Sequence, residues 1–319
     1  MNLEEKLDFL VSYPHGCLEQ TVSAAFPQLY IENLLELDNS QKADIQQNIN
    51  VCLNKLSRYQ MTNGGFAYWP GANNVSEWAT NYVGHFIVEA EKIGYVIPGN
   101  LKTNWLKYQK EKASKWVDDG TNSQLTQAYR LYTLAIAGQA DRSAMNRLKE
   151  SKLSRTATWR LALAYAVSGK ESIAKQMIAN LSTDIPMYFE LSGTFGSATR
   201  DKAMILETLI ELGEKEKAFM VLKEISEVMG SSRYTSTQTT AYALLAASKF
   251  VKKYPTSGNI SCTYSINGKT ATAKTAKPVY RTELSFSEGE ANQFSLKSDN
   301  EALVFVRIIR KGIPETGSE

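Results

Sequence analysis

A cysteine and a glutamine stand three positions apart in Tyr13-Pro-His-Gly-Cys-Leu-Glu-Gln20, placing Cys17 and Gln20 within one helical turn of each other. The pair follows a Pro/Gly-marked turn and precedes an apolar stretch, so the spacing predicts a helix that begins at the cysteine. There the Cys17 sulfur can reach the Gln20 side-chain carbonyl. A thiolate attacking that amide carbon expels ammonia and leaves an internal thioester, a stored acyl electrophile. The dipoles of a helix start are expected to lower the Cys17 pKa and to polarise the Gln20 carbonyl. Such an electrophile needs shelter from water. Tyr13, His15 and Glu19 are its candidate neighbours or shield. Phe66, Tyr68 and Trp69 are weaker candidates whose plainer role is core packing. For Glu19 a capping or structural role is expected, because acids are favoured in a first helical turn.

Other chemistries find little support. The three cysteines are Cys17, Cys52 and Cys262, too few and too scattered for a disulfide framework. Cys52 falls in the helical stripe Ile45, Ile49, Cys52, Leu53, Leu56 and Cys262 in the strand-like Ile260–Ile266, both packing positions. The two histidines are His15 and His85. They lie far apart with no paired cysteines, so no metal site is expected. His85 sits in an apolar helical segment, where a core role is the simpler reading. Neither a glycine-rich phosphate loop nor a serine elbow appears, and no cofactor is expected. A net charge of +3 spread over both signs argues against nucleic acid or an anionic membrane as partner. No apolar run approaches the length of a bilayer span, and the first residues lack the basic and apolar regions of a signal peptide.

The elements that must position the pair are mostly helical. From residue 3 to about 252 apolar residues recur at helical spacing, and Gly94, Gly138, Gly169 and Gly213 each follow such a segment, as at helix C-caps. Pro27 is expected to begin a helix or to kink one. Segments 126–137, 159–166 and 240–247 are Ala/Leu/Tyr-rich and apolar nearly all round, so they must be buried on every side. The segments 141–153 and 214–229 between them are amphipathic. This alternation predicts a mainly α fold of helix pairs in two concentric layers, an α/α toroid, with a straight solenoid as the alternative. From Pro255 the pattern changes to strands, with Ile260–Ile266 alternating, Asn267-Gly268 as a hairpin turn, and Leu303–Ile309 as a buried strand. The expected division is a helical domain of residues 1–252 and a small all-β segment of residues 253–319.

Tyr13-Pro-His-Gly-Cys-Leu-Glu-Gln20 resembles the thioester signature of the α2-macroglobulin and complement family, closest to its bacterial branch. The stretches 63–69 (Asn-Gly-Gly-Phe-Ala-Tyr-Trp), 78–83 and 236–245 resemble further parts of the same family's thioester domain, in the expected order. The resemblance implies an α/α toroid, also the fold of terpenoid cyclases, inserted into a CUB-type β-sandwich. Residues 258–314 would form the half of that sandwich which follows the insertion. It implies a broad-spectrum endopeptidase inhibitor acting in bacterial defence. After cleavage of a bait segment elsewhere, lysine amines of the target protease attack the Cys17–Gln20 thioester. That is single-use covalent chemistry rather than turnover, so no catalytic residue is assigned. Some complement members use a downstream histidine to steer transfer toward hydroxyls. Neither His15 nor His85 can be placed at that position from the sequence, and without such a group uncatalysed attack favours amines. The implied parent is a longer periplasmic, cell-surface or extracellular protein whose other domains partner this one. Two alternatives stand beside this one: a toroid enzyme with Cys17 as nucleophile, and a non-reactive scaffold domain.

Overall fold

The computed structural model describes residues 13–119, 121–231, 234–255, 260–286 and 291–299, with positions 304, 306 and 308. The chain divides into two compact units, Met1–Pro255 and Thr256–Glu319. Among the described residues the first unit holds eleven α-helices: α1 (Leu18–Ala25), α2 (Asn39–Leu56), α3 (Glu77–Lys92), α4 (Leu101–Ser114), α5 (Thr121–Ile136), α6 (Arg142–Lys149), α7 (Arg155–Val167), α8 (Glu171–Ile178), α9 (Ala198–Glu211), α10 (Lys215–Gly230) and α11 (Thr237–Lys253).

The odd-numbered helices form a closed ring. Each packs on the next, α1 on α3, α3 on α5, α5 on α7, α7 on α9 and α9 on α11, and α11 returns to α1. Their composition requires this. α3 is buried from Trp78 to Ala90 and α11 from Gln238 to Ser248, and a helix without a polar face must have neighbours on all sides. The even-numbered helices lie outside and bury one stripe each, as α10 does with Ala218, Val221, Ile225 and Met229. Contact between the last helix and the first makes the fold an α/α toroid and excludes the open solenoid.

Glycines turn the chain from the inner layer to the outer. Gly94, Gly138, Gly169 and Gly213 follow α3, α5, α7 and α9 with φ of 101°, 73°, 76° and 76°, the left-handed C-cap conformation expected of them. Serines begin four of the inner helices: Ser76, Ser154, Ser197 and Ser236 each accept a backbone N–H of the first turn through the side chain. The starts of the inner helices meet at one end of the ring. Thr156 of α7 donates to Asp201 of α9 at 2.8 Å, and Ser197 before α9 bonds Thr239 of α11 at 2.8 Å. Pro27 neither opens an α-helix nor kinks one. α1 stops at Ala25 and Phe26–Leu29 continues as a 3-10 turn with Pro27 near its start.

The second unit contains β1 (Ile260–Ile266), β2 (Lys269–Thr275) and β3 (Phe294–Ser298), antiparallel in the order β2-β1-β3. Asn267 and Gly268 have φ of 48° and 80°, the two positive values of a type I′ hairpin turn. β3 pairs with the other edge of β1, Cys262 opposite Ser298, and sequence reading passes over it because five residues carry too little alternation. The expected strand at Leu303–Ile309 lies mostly outside the described residues. At its described positions no strand is formed, and Val306 and Ile308 are exposed rather than buried.

Candidate functional site

Cys17 is the N-cap of α1 and Gln20 its third helical residue. They form a reciprocal capping box: the Gln20 backbone N–H turns toward the Cys17 side chain, and the Cys17 N–H donates to Gln20 Oε1 at 3.2 Å. Asp38 and Gln41 make the same box at the start of α2 with distances of 2.8 and 3.0 Å. The local geometry is therefore ordinary helix-start chemistry. What differs is that a nucleophilic sulfur occupies the place of a carboxylate. Gly16 supports the arrangement with φ of 92°, and a Cβ there would lie 2.2 Å from Gln20 Oε1. Cys17 is a buried residue and Gln20 an exposed one.

The turn ahead of the pair is pinned from α2 and the chain just beyond it. Tyr59 donates to the Gly16 carbonyl at 3.1 Å and Lys55 to the Pro14 carbonyl at 2.8 Å. The Lys55 ammonium also lies 4.2 Å from the centre of the Tyr13 ring. Tyr13 itself is 52% exposed. His15 is exposed too, at the rim of the turn. Leu18 N–H donates to the Tyr68 carbonyl at 3.0 Å, bringing the aromatic loop against the site. Of that loop Phe66 belongs to the core, Trp69 is 55% exposed, and Tyr68 lies between these extremes.

Glu19 is buried beneath the pair. It neither caps α1 nor faces water. Its carboxylate accepts Ser23 at 2.6 Å and Thr237 on both oxygens at 2.9 Å, joining the first turn of α1 to the first turn of α11. Trp78 of α3 donates to Gln238 of α11 at 3.2 Å. The sequence stretches around residues 13–20, 63–83 and 236–245 thus converge at one end of the ring. Thr237, Ser23, Tyr59 and Lys55 are contributors that sequence reading missed. Of these only Thr237 lies in a stretch singled out in the sequence, the 236–245 resemblance, which says nothing about its partner.

The electrostatics correct one expectation. The Cys17 thiol is pushed up, not down. Burial dominates and the Glu19 charge adds to it, while the backbone amides of the helix start oppose them without prevailing. Burial likewise raises Glu19 against the pull of Ser23 and Thr237. His85 is a core residue of α3. Its Nδ1 bonds the Tyr129 hydroxyl at 3.1 Å, and burial followed by the Lys249 and Arg160 charges holds it well below the usual range. It is neutral, and no hydrogen bond among the described residues joins it to Cys17 or Gln20.

Fold and site together define an α/α-toroid domain with a Cys-x-x-Gln box at the start of its first inner helix. The family profile described as the A-macroglobulin TED domain matches residues 1–116. Alpha-2-macroglobulin of Escherichia coli strain K12 is 26% identical over 270 residues, covering 77% of this chain and 16% of its own length. Salmonella alpha-2-macroglobulin reacted with methylamine superposes with a TM-score of 0.72 at 21% identity, covering 93% of this chain and 19% of that one. Escherichia coli alpha-2-macroglobulin activated by porcine elastase gives 0.63 at 24% identity, covering 89% and 25%. At these identities the structures establish the shared fold. The chain is similar to the bacterial α2-macroglobulins, and it spans about a sixth of the length of the Escherichia coli relative (16%).

Proposed function

We propose that this chain is the thioester-bearing part of a covalent protease trap. The observation that carries the reading is the Cys17–Gln20 box, which holds a buried cysteine and the Gln20 carboxamide on one helical turn with the head of Gln20 seated against Gly16. Cys17 gives up its thiol proton and the sulfur attacks Gln20 Cδ; the C–S bond forms, the C–N bond breaks, and the departing nitrogen takes up that proton and leaves as ammonia. A lysine amine of a captured protease then attacks the same carbon. A new amide forms, the C–S bond breaks, and the amine's proton balances the thiol regained by Cys17. Each molecule reacts once, so the chain acts as an endopeptidase inhibitor and not as a turnover enzyme. The elastase-activated and methylamine-reacted relatives support proteases and amines as the two reactant classes. The 253–319 segment is read as part of a CUB-like sandwich flanking the thioester domain. The parent protein is placed in the periplasm or at the cell surface, where proteases are met, with its other domains as partners.

Intact mass of freshly purified protein, with and without methylamine, tests this. The expected wild-type chain is lighter by one ammonia, and methylamine converts it to a species heavier than the unmodified chain by one methylene. Cys17→Ala should show neither change. A wild-type chain of unmodified mass with an alkylatable Cys17 defeats the reading for this chain.

A further inference from the structure

We propose that the Tyr68 hydroxyl is the hydrogen-bond donor reserved for the negative charge that develops on the Cys17 sulfur. The proposal rests on the reading of Cys17 as the acyl-bearing sulfur. Tyr68 is held from two sides. Its carbonyl accepts the N–H of Leu18, the residue after the cysteine, at 3.0 Å. Its ring stacks on Phe195 with centroids 5.4 Å apart and planes 23° apart. Phe195 has φ of 51°, a left-handed backbone that a phenylalanine rarely adopts. Yet the hydroxyl so placed is buried and has no hydrogen-bond partner among the described residues. A buried hydroxyl without a partner costs stability, and its persistence calls for an explanation.

The chemistry nearby supplies one. Charges on Glu19 and Cys17 both act on the Tyr68 hydroxyl. Glu19 already has two hydroxyl donors, Ser23 and a Thr237 proton shared between both oxygens. The sulfur is met by backbone amides of the helix start, and a thiolate has lone pairs to accept a further donor. Burial, Glu19 and Cys17 together hold the Tyr68 proton far above the ordinary tyrosine range, so the group is always a donor. The sulfur must carry charge twice: when it attacks Gln20 Cδ and expels ammonia, and when an incoming amine breaks the C–S bond and it leaves. Burial opposes that charge on both occasions, and a donor that has no partner at rest costs nothing to redirect. Hydrogen bonds of this kind tighten only as charge appears.

The test is the pH dependence of Cys17 alkylation by iodoacetamide in the whole chain, read by peptide mass after methylamine has freed any acylated thiol. Tyr68→Phe keeps the ring stack and removes the donor. The variant should alkylate about tenfold more slowly near neutral pH, its profile displaced upward by about one unit, with a thermal midpoint equal to or above wild type. Phe195→Leu, which loosens the stack and retains the hydroxyl, should displace the profile less. Superimposable profiles for wild type and Tyr68→Phe overturn the proposal, as does an equal displacement in Phe195→Leu, which would make Tyr68 a packing residue. An unmodified wild-type mass before methylamine defeats the thioester reading separately, because the alkylation profiles still judge Tyr68.

Discussion

At Gly16 the absence of a side chain decides where the glutamine head can lie. Any L side chain would strain the backbone at φ of 92° and place its Cβ 2.2 Å from Gln20 Oε1. The strain of a left-handed backbone is roughly 1–2 kcal/mol, and the clash adds to it. Gly16→Ala is therefore expected to lower the thermal midpoint and, more tellingly, to abolish the ammonia-loss mass while leaving Cys17 alkylatable. A Gly16→Ala chain that still loses ammonia would show that the box does not position the reacting carbon. The box itself is legible in sequence because its partners are three residues apart and depend on nothing else. The sign of the thiol shift is not. Helix-start amides favour the thiolate and burial opposes it, and that burial comes partly from the loop around Tyr68, whose contact with Leu18 no local pattern announces.

α1 has only eight residues, too few to persist without tertiary support. Its place depends on the ring closing, and the closing contact beside the site is Thr237 of α11 on Glu19 of α1. Thr237→Val keeps the shape and removes the hydroxyl donor shared between both oxygens of a buried carboxylate. It should cost about 1–3 kcal/mol, read as a lower denaturation midpoint with unchanged m-value, and Cys17 should become more accessible to alkylation. An unchanged midpoint would mean that packing alone closes the ring. The inner helices and their glycine caps can be read from composition and spacing, since an all-apolar helix declares its own burial. The Asn267-Gly268 hairpin can be read as well, because the turn residues carry the two positive φ angles. Which inner helix meets which cannot. Glu19 and Thr237 are 218 residues apart, and each looks like an ordinary first-turn residue. β3 is invisible for a related reason: its pairing with β1 exists only after an intervening stretch has folded back.

Around its centre the toroid is tied by charge as well as by apolar packing. Arg160 of α7 meets Glu207 of α9 at 3.0 Å, and Lys249 of α11 reaches Glu207 at 2.9 Å and Glu89 of α3 at 3.8 Å. Arg160 also lies over the rings of Tyr129 and Tyr132 at 4.9 and 4.6 Å. One connected knot thus spans five of the inner helices, and Lys249 is the cation shared by both carboxylates. Burial alone would raise the Glu89 pKa, but the charges of Lys249 and then Lys92 outweigh it and hold the group below its ordinary 4.5. The sign of the resulting stability follows from linkage. A depressed carboxylate contributes stability above its unfolded value and loses it as pH falls through the folded one. Lys249→Met leaves two buried carboxylates without their common partner. Breaking such a cluster costs about 3–5 kcal/mol. The cost should be largest near neutral pH, because Glu89 in the variant would take up a proton more readily than in the unfolded chain. Thermal midpoints of both proteins, followed from neutral to acid through about pH 4.5, should therefore converge as pH falls, wild type losing stability and the variant losing less. A gap that stays constant across that range would mean that Lys249 acts through the packing of its aliphatic stem, and that the inner helices are joined by apolar contact alone.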